Sequence, residues 1–438
     1  MRRREILSTL ATTGLGAACW GAPSLVWSNT APLTLLHEFP GANCHPTGTL
    51  ILDADTPTPL VKLAIRNPEG GLAQWQSFRF GLAGCAGKVI QVEVPLAGKE
   101  GGPTYRPIWS GPFVANRFDD FRAWQPASRS ISAGLLRFTV AGKLDNTLYV
   151  ASMPPNSLPQ CMSWIRSLVA SHPDWIHDDL PSRVAAGGGP YTCATAPTVK
   201  DETGRTISGQ PMLGFRIGND RVGKALAKRR FVVMAGVHPS EDHGPIQLRG
   251  FAAEWLTNPA LQVLRDTTDL IVYPIVAANG MHAGYRRYEP SADIPTGTDL
   301  NRSFDGPTTN LTAKGWRQIF AQDLHADLTR GGLDFHDVSP GHELVWAYHT
   351  KDTPAGTLAA IRAEHRRVTF FPTTNVGTTM QWVRTNTAAG LHGTAITAEV
   401  SDEAGTLADY VDVGARWAWV AKRWMEAGLM GEEGTKKT

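Results

Sequence analysis

His238-Pro239-Ser240-Glu241 sets an imidazole and a carboxylate three positions apart, directly after the apolar run Phe231 to Val237. A strand ending at Val237 would project both side chains into one crevice. Such groups suit zinc, which in a catalytic site takes three protein ligands at about 2.0–2.2 Å and keeps a fourth position open for water. A third ligand must come from elsewhere. Asp334-Phe335-His336-Asp337 offers it at the end of a second short apolar stretch. Alone, His-x-x-Glu arises freely by chance and His336 is most simply a structural histidine. At successive strand ends, His238, Glu241 and His336 together read as a metal site. Between them lies Asp299-Leu300-Asn301-Arg302-Ser303-Phe304, on its own a polar turn with an arginine ion pair.

The elements that must position these side chains change character along the chain. From about Leu33 to Met153 the pattern is short alternating strands broken by Gly and Pro, clearest at Trp75 to Phe80, Lys88 to Val94, Leu135 to Val140 and Thr147 to Ser152. This predicts a β-sandwich domain over about residues 31–165. Ala185 to Pro190 has loop composition. Beyond Tyr191, buried strands alternate with helices. Phe231 to Val237 and Leu270 to Val276 are continuous apolar runs, as for strands covered on both faces. Helices are expected near Pro245 to Trp255, at Thr312–Arg330, near Thr357–Arg366 and from Leu407 to Glu426, with strands at Leu333–His336 and Thr394–Val400. The expected fold class is α/β over about residues 190–428, a mixed, mostly parallel sheet flanked by helices and preceded by the sandwich. Sites in such folds lie at the carboxyl ends of the strands.

Composition narrows the function further. The chain has 438 residues, 42 Lys plus Arg against 40 Asp plus Glu, which gives no electrostatic case for binding nucleic acid or an anionic membrane surface. Arg3-Arg4-Glu5-Ile6-Leu7 resembles a twin-arginine export signal, and the run Ala11 to Val26 is too short and Gly-rich for a transmembrane span. Residues 1–28 are therefore expected to be a signal peptide removed near Asn29, leaving a periplasmic or secreted protein without stable membrane insertion. Leu15 lies four residues before Cys19, out of place for lipidation. The remaining Cys44, Cys85, Cys161 and Cys193 allow three pairings, or none; no Cys-x-x-Cys spacing occurs.

His-x-x-Glu, then Asp-Leu-Asn-Arg, then Asp-x-His, then Thr397-Ala398-Glu399 resembles the zinc carboxypeptidase superfamily, in the correct order, across Phe231 to Glu399. The branch it is most similar to is the cytosolic carboxypeptidases that trim C-terminal glutamates, which also place a β-sandwich before the catalytic domain. The aromatic-rich Trp75–Phe80, Tyr105-Arg106-Pro107-Ile108-Trp109-Ser110 and the run Leu148 to Pro155 are similar to theirs. The resemblance implies one zinc per chain on His238, Glu241 and His336, with Glu399 as catalytic base and a peptide as substrate. It also implies that Asn301 and Arg302 grip the substrate's terminal carboxylate and that Arg286 stabilises the oxyanion, with Arg287 as its competitor. Arg384, in Met380-Gln381-Trp382-Val383-Arg384, matches a Trp-x-Arg or Trp-Arg of the glutamate-trimming relatives and implies a preference for acidic C-terminal residues.

Three departures stand out. Ala277-Ala278-Asn279-Gly280 replaces the familiar Asn-Pro-Asp-Gly, and Ser303 follows Arg302 where Asn is usual. No Tyr lies between Tyr348 and Tyr410 to serve as the mobile lid residue, and His392 is the candidate substitute. A zinc deacylase similar to succinylglutamate desuccinylase or aspartoacylase shares the first motifs but lacks a leading sandwich. A cell-wall stem-peptide carboxypeptidase is a variant of the same reading. A non-catalytic zinc-binding adhesion protein would have no need for Glu399, Arg302 and an oxyanion arginine together.

Overall fold

The computed structural model describes residues 31–66, 78–95, 112–120, 123–132, 135–142, 145–201, 203–221, 228–285, 287–304, 307–324, 328–338, 345–351, 353–372, 378–386, 395–401 and 406–429. The expected signal peptide, the run Tyr105 to Ser110 and His392 lie outside these residues.

Alternation builds the N-terminal half. Along Val89–Pro95, Ile90, Val92 and Val94 point inward while Val89, Gln91 and Pro95 are exposed. Leu136, Phe138 and Val140 do the same on Leu135–Ala141, which pairs with it antiparallel. These strands belong to a five-stranded sheet, with Leu50–Leu52, Leu60–Lys62 and Arg129–Ser132. The second five-stranded sheet holds Thr34–Leu36, Arg79–Ala83, Thr147–Ala151, Phe113–Ala115 and Gln125–Pro126. Phe80, Leu82, Leu148 and Val150 from this sheet meet the inner face of the first in one apolar core, the arrangement of a sandwich. A helix, Leu158–Ser171, leads onward from it.

The second half is organised by an eight-stranded mixed sheet. In chain order its strands are β1 (Ile176–His177), β2 (Phe215–Ile217), β3 (Arg229–Ala235), β4 (Thr268–Tyr273), β5 (Thr329–Val338), β6 (Val345–His349), β7 (Val368–Pro372) and β8 (Ala395–Ser401). Their spatial order is β1-β2-β4-β3-β5-β8-β6-β7. β4, β3, β5 and β8 run parallel, and β6 is antiparallel to β8. Every residue of β4 is buried, as is all of β3 after Arg229, because both faces are covered.

On one face lie helices α1 (His243–Thr257) and α6 (Leu407–Glu426), whose Phe251, Trp255, Trp417 and Trp424 pack on Phe231 and Phe335. The Phe231 and Phe251 rings stack at 6.0 Å, a contact worth about 0.5–1.5 kcal/mol beyond the area it buries. On the other face, α3 (Leu311–Asp323) sets Trp316 and Phe320 against Val232, Met234 and Tyr273. The short α2 (Ala278–Ala283), α4 (Ala355–Glu364) and α5 (Thr379–Asn386) complete the helices used below.

One expectation is corrected. The helix expected at Thr312–Arg330 stops at Asp323, because from Thr329 the backbone pairs with Arg230 and its neighbours as part of a ten-residue strand. Sheet hydrogen bonds on both sides of β5 outweigh the local helical pattern. Cys44, Cys85, Cys161 and Cys193 are all buried and free, and burial pushes Cys44 and Cys193 up to about 12.

Candidate metal centre and active site

The parallel strands bring their carboxyl ends into register. Ala235, the last residue of β3, pairs with Phe335, so His336 stands one residue beyond it; His336 in turn pairs with Glu399. After β3, Gly236 turns the chain at φ +67°, a conformation side-chain-bearing residues rarely adopt. Val276 N–H donates to Ala235 O and Ala277 N–H to Gly236 O, so the loop after β4 clamps the turn. The His238-x-x-Glu241 loop then feeds α1. Gly244 lets the first turn of that helix lie against the end of β5, where a Cβ would sit 2.3 Å from Phe335 O.

The three predicted ligands meet. His238 Nδ1 lies 2.6 Å from Glu241 Oε1, His336 Nδ1 lies 2.7 Å from Glu241 Oε2, and the imidazole centroids are 4.9 Å apart. All three residues are buried and their ligand atoms fall within 4.8 Å of one another. Two imidazole nitrogens and one carboxylate around a common point are the donor set of a catalytic zinc site. Burial pulls both imidazoles down, yet Glu241 with Asp299 raises His238 and Asp334 with Glu241 raises His336 well above the ordinary value. Burial opposes ionisation of Glu241, and the two histidines nonetheless hold it well below the usual carboxylate range. A cluster that concentrates positive charge between its nitrogens and a carboxylate is one a dication fits, displacing the protons.

The far ring nitrogens are held too. Asp299 Oδ1 lies 3.0 Å from His238 Nε2, and Asp334 Oδ2 lies 3.0 Å from His336 Nε2, close but poorly aligned for a hydrogen bond. Carboxylates in that position fix tautomer and ring orientation. Arg287 donates from Nε to Asp299 Oδ2 at 2.8 Å, and its charge also acts on Glu241. Gln247 Nε2 donates to His336 O at 2.9 Å. Sequence reasoning missed Asp299, Asp334 and Gln247 as supports. The first two lie inside quoted motifs, and only a folded register shows which nitrogen they face.

Glu399 is partly exposed, beside His336 on the sheet. Burial comes first in pushing its carboxyl up to about 8, against the opposing pull of His336. Asn301 Oδ1 accepts from Thr379 N–H at 2.9 Å and from Thr379 Oγ1–H at 3.2 Å, tying the Asp299–Arg302 turn to the start of α5. Arg302 is exposed and donates to Asn301 O. Arg384 belongs to α5, but its side chain lies outside the described residues, as does all of Arg286.

Tyr348 was marked in the sequence only as the start of a tyrosine-free interval. On β6 it pairs with Thr397, and Trp346 pairs with Glu399, so its ring shares Glu399's face of the sheet. It stacks on Phe371 at 5.3 Å. Burial and the charges of Glu399 and Glu241, offset by Arg302, push its phenol up to about 12, so the hydroxyl stays protonated.

The zinc carboxypeptidase family model matches residues 196–333, a segment carrying His238, Glu241, Asn301 and Arg302 and ending just before His336. No curated protein matches the sequence. A metallo-carboxypeptidase from Burkholderia cenocepacia is similar in structure, with a TM-score of 0.61 and 15% identity over 90% of this chain and 99% of that one. A metallo-carboxypeptidase from Pseudomonas aeruginosa, in complex with (2-guanidinoethylmercapto)succinic acid, has a TM-score of 0.62 at 15% identity and the same coverage. These two share the fold over 90% of this chain. With a zinc-compatible triad assembled at the carboxyl edge of the sheet, residues 196–333 carry a match to a zinc carboxypeptidase domain, and the chain is a zinc-dependent hydrolase.

Proposed function

We propose that the protein is an exported carboxypeptidase that removes C-terminal residues from peptides, with acidic ones preferred. His238, Glu241 and His336 hold the zinc; bound there, it lowers the pKa of its water and polarises the scissile carbonyl. Glu399 accepts a proton from the attacking water as its hydroxyl adds to the carbonyl carbon, and passes that proton to the amine nitrogen as the C–N bond breaks. A carboxyl raised by burial suits that exchange near neutrality. Arg302 and Asn301 would grip the terminal carboxylate, and the role of stabilising the oxyanion is assigned to Arg286 from the family resemblance.

The observation that carries the specificity reading is the link from Asn301 Oδ1 to Thr379, which couples the carboxylate-binding turn to the helix bearing Arg384. A substrate held by its terminal carboxylate would present its last side chain toward that helix, and a cation contributed from it would favour glutamate. Losing one partner of a buried charge pair costs about 2–5 kcal/mol. Arg384→Ala should therefore lose at least tenfold in kcat/KM on peptides ending in Glu and far less on those ending in Leu. A wild-type enzyme ranking Leu or Lys above Glu would remove the acidic preference and leave the carboxypeptidase standing. Faster hydrolysis of N-acyl amino acids than of any peptide would replace it with the deacylase.

Export rests on the Arg3-Arg4 signal and the short apolar run Ala11 to Val26. No helix among the described residues is long and apolar enough to cross a membrane. Mass spectrometry should find the mature chain starting near Asn29 outside the cytoplasm; an intact Met1 in cytoplasmic protein would refute this.

A further inference from the structure

Arg79 belongs to the sandwich by sequence and to the metal centre by contact. Its backbone is fixed at home: Asn43 Oδ1 accepts from Arg79 N–H at 2.7 Å, and Asn43 N–H donates to Arg79 O at 3.0 Å. Its guanidinium, 1% exposed, crosses into the catalytic half. There Nη2 lies 2.6 Å from Asp242 Oδ2 and 3.4 Å from Pro239 O, while Nη1 lies 3.4 Å from the Met281 sulfur. Pro239 directly follows His238, and Asp242 directly follows Glu241. One planar cation thus spans the residues that follow each of the loop's two ligands. The other Asp242 oxygen accepts from Asn156 N–H at 3.1 Å, so this carboxylate is held from two sides at the entrance to α1.

We propose that the β-sandwich is a working part of the metal centre, with Arg79 as a positioning residue that sets the spacing of His238 and Glu241. The inference rests on the ligand assignment above. The planar guanidinium matters more than the charge, because Nη2 serves Asp242 and Pro239 O while Nη1 is aimed at the Met281 sulfur, a set of fixed directions that a lysine ammonium does not reproduce. Changing a group that orients ligands without touching the metal typically costs 10–100-fold in metal affinity.

The test is the zinc dissociation constant of the full-length protein, measured by equilibrium competition with a chromogenic chelator. Arg79→Met should weaken zinc by at least tenfold. Arg79→Lys keeps the charge and serves if the Met variant does not fold; it should also weaken zinc, by at least threefold. Arg66→Met is the control. Arg66 lies in the sandwich half and reaches Ala283 O and Asp201 in the catalytic half, both outside the metal loop, so its loss should leave zinc affinity within about twofold. Arg79 variants within twofold of wild type, or an Arg66→Met protein that loses as much, would overturn the proposal while leaving the ligand set intact. A wild-type chain that takes up no zinc would overturn both.

Discussion

His238 and His336 turn their Nδ1 atoms toward one carboxylate and their Nε2 atoms toward two others, so each ring is held at both ends before any metal arrives. Removing a ring therefore deletes a ligand from a prepared site. His336→Ala should lose zinc, and metal analysis of the folded variant should show well under half the wild-type content; full occupancy would remove His336 from the ligand set. Glu399 lies beside the cluster, paired with His336 across the sheet, and the proposed mechanism gives its carboxyl the proton. Glu399→Gln should keep its zinc and lose about 10²–10⁴-fold in turnover, the usual contribution of a positioned acid–base group. Near-wild-type turnover in that variant would move the base elsewhere.

Among the elements, α4 ends where a titratable group is sealed against α6. His365, the C-cap of α4, donates its N–H to Ile361 O, and its ring lies 4.6 Å from the Trp417 ring. Burial, with Arg416 adding to it, pushes the imidazole down to about 3. The unfolded chain binds this proton near the ordinary value of about 6.5, and the folded chain does not until about 3. Stability thus falls as pH drops through that window, at up to about 1.4 kcal/mol per pH unit from this group. Thermal melts at pH 4 and pH 7 should differ less in His365→Leu than in wild type; an equal difference would assign the acid sensitivity to other groups.

The same scale shows what could be read without coordinates. The C-terminal helix was legible from Leu407 to Glu426 because its apolar face repeats cleanly, and β3 and β4 from unbroken apolar runs. The helix Leu158–Ser171 has no counterpart among the expected elements, which carry the sandwich to about residue 165, and α3 is shorter than its local pattern predicts because pairing with Arg230 is invisible along the chain. His238, Glu241 and His336 were legible because His-x-x-Glu directly follows one apolar run and His336 closes another. Tyr348 was not, because its nearness to Glu399 exists only through antiparallel pairing of β6 with β8.

At the scale of the molecule, two sheet systems meet at the metal loop. The sandwich reaches that loop through Arg79, and the mixed sheet delivers the ligands and Glu399 at its carboxyl edge. The central claim is that this edge hydrolyses the last peptide bond of a chain with a single zinc. Its most direct measurement is the mass of a defined peptide after incubation with zinc-loaded, chelator-stripped and zinc-restored protein. The expected result is loss of one residue at a time from the C-terminus, abolished by stripping and restored by about one equivalent of zinc per chain. Cleavage that persists after the metal is gone, or a peptide that stays intact while an internal bond or an N-acyl group is cut, would contradict the account.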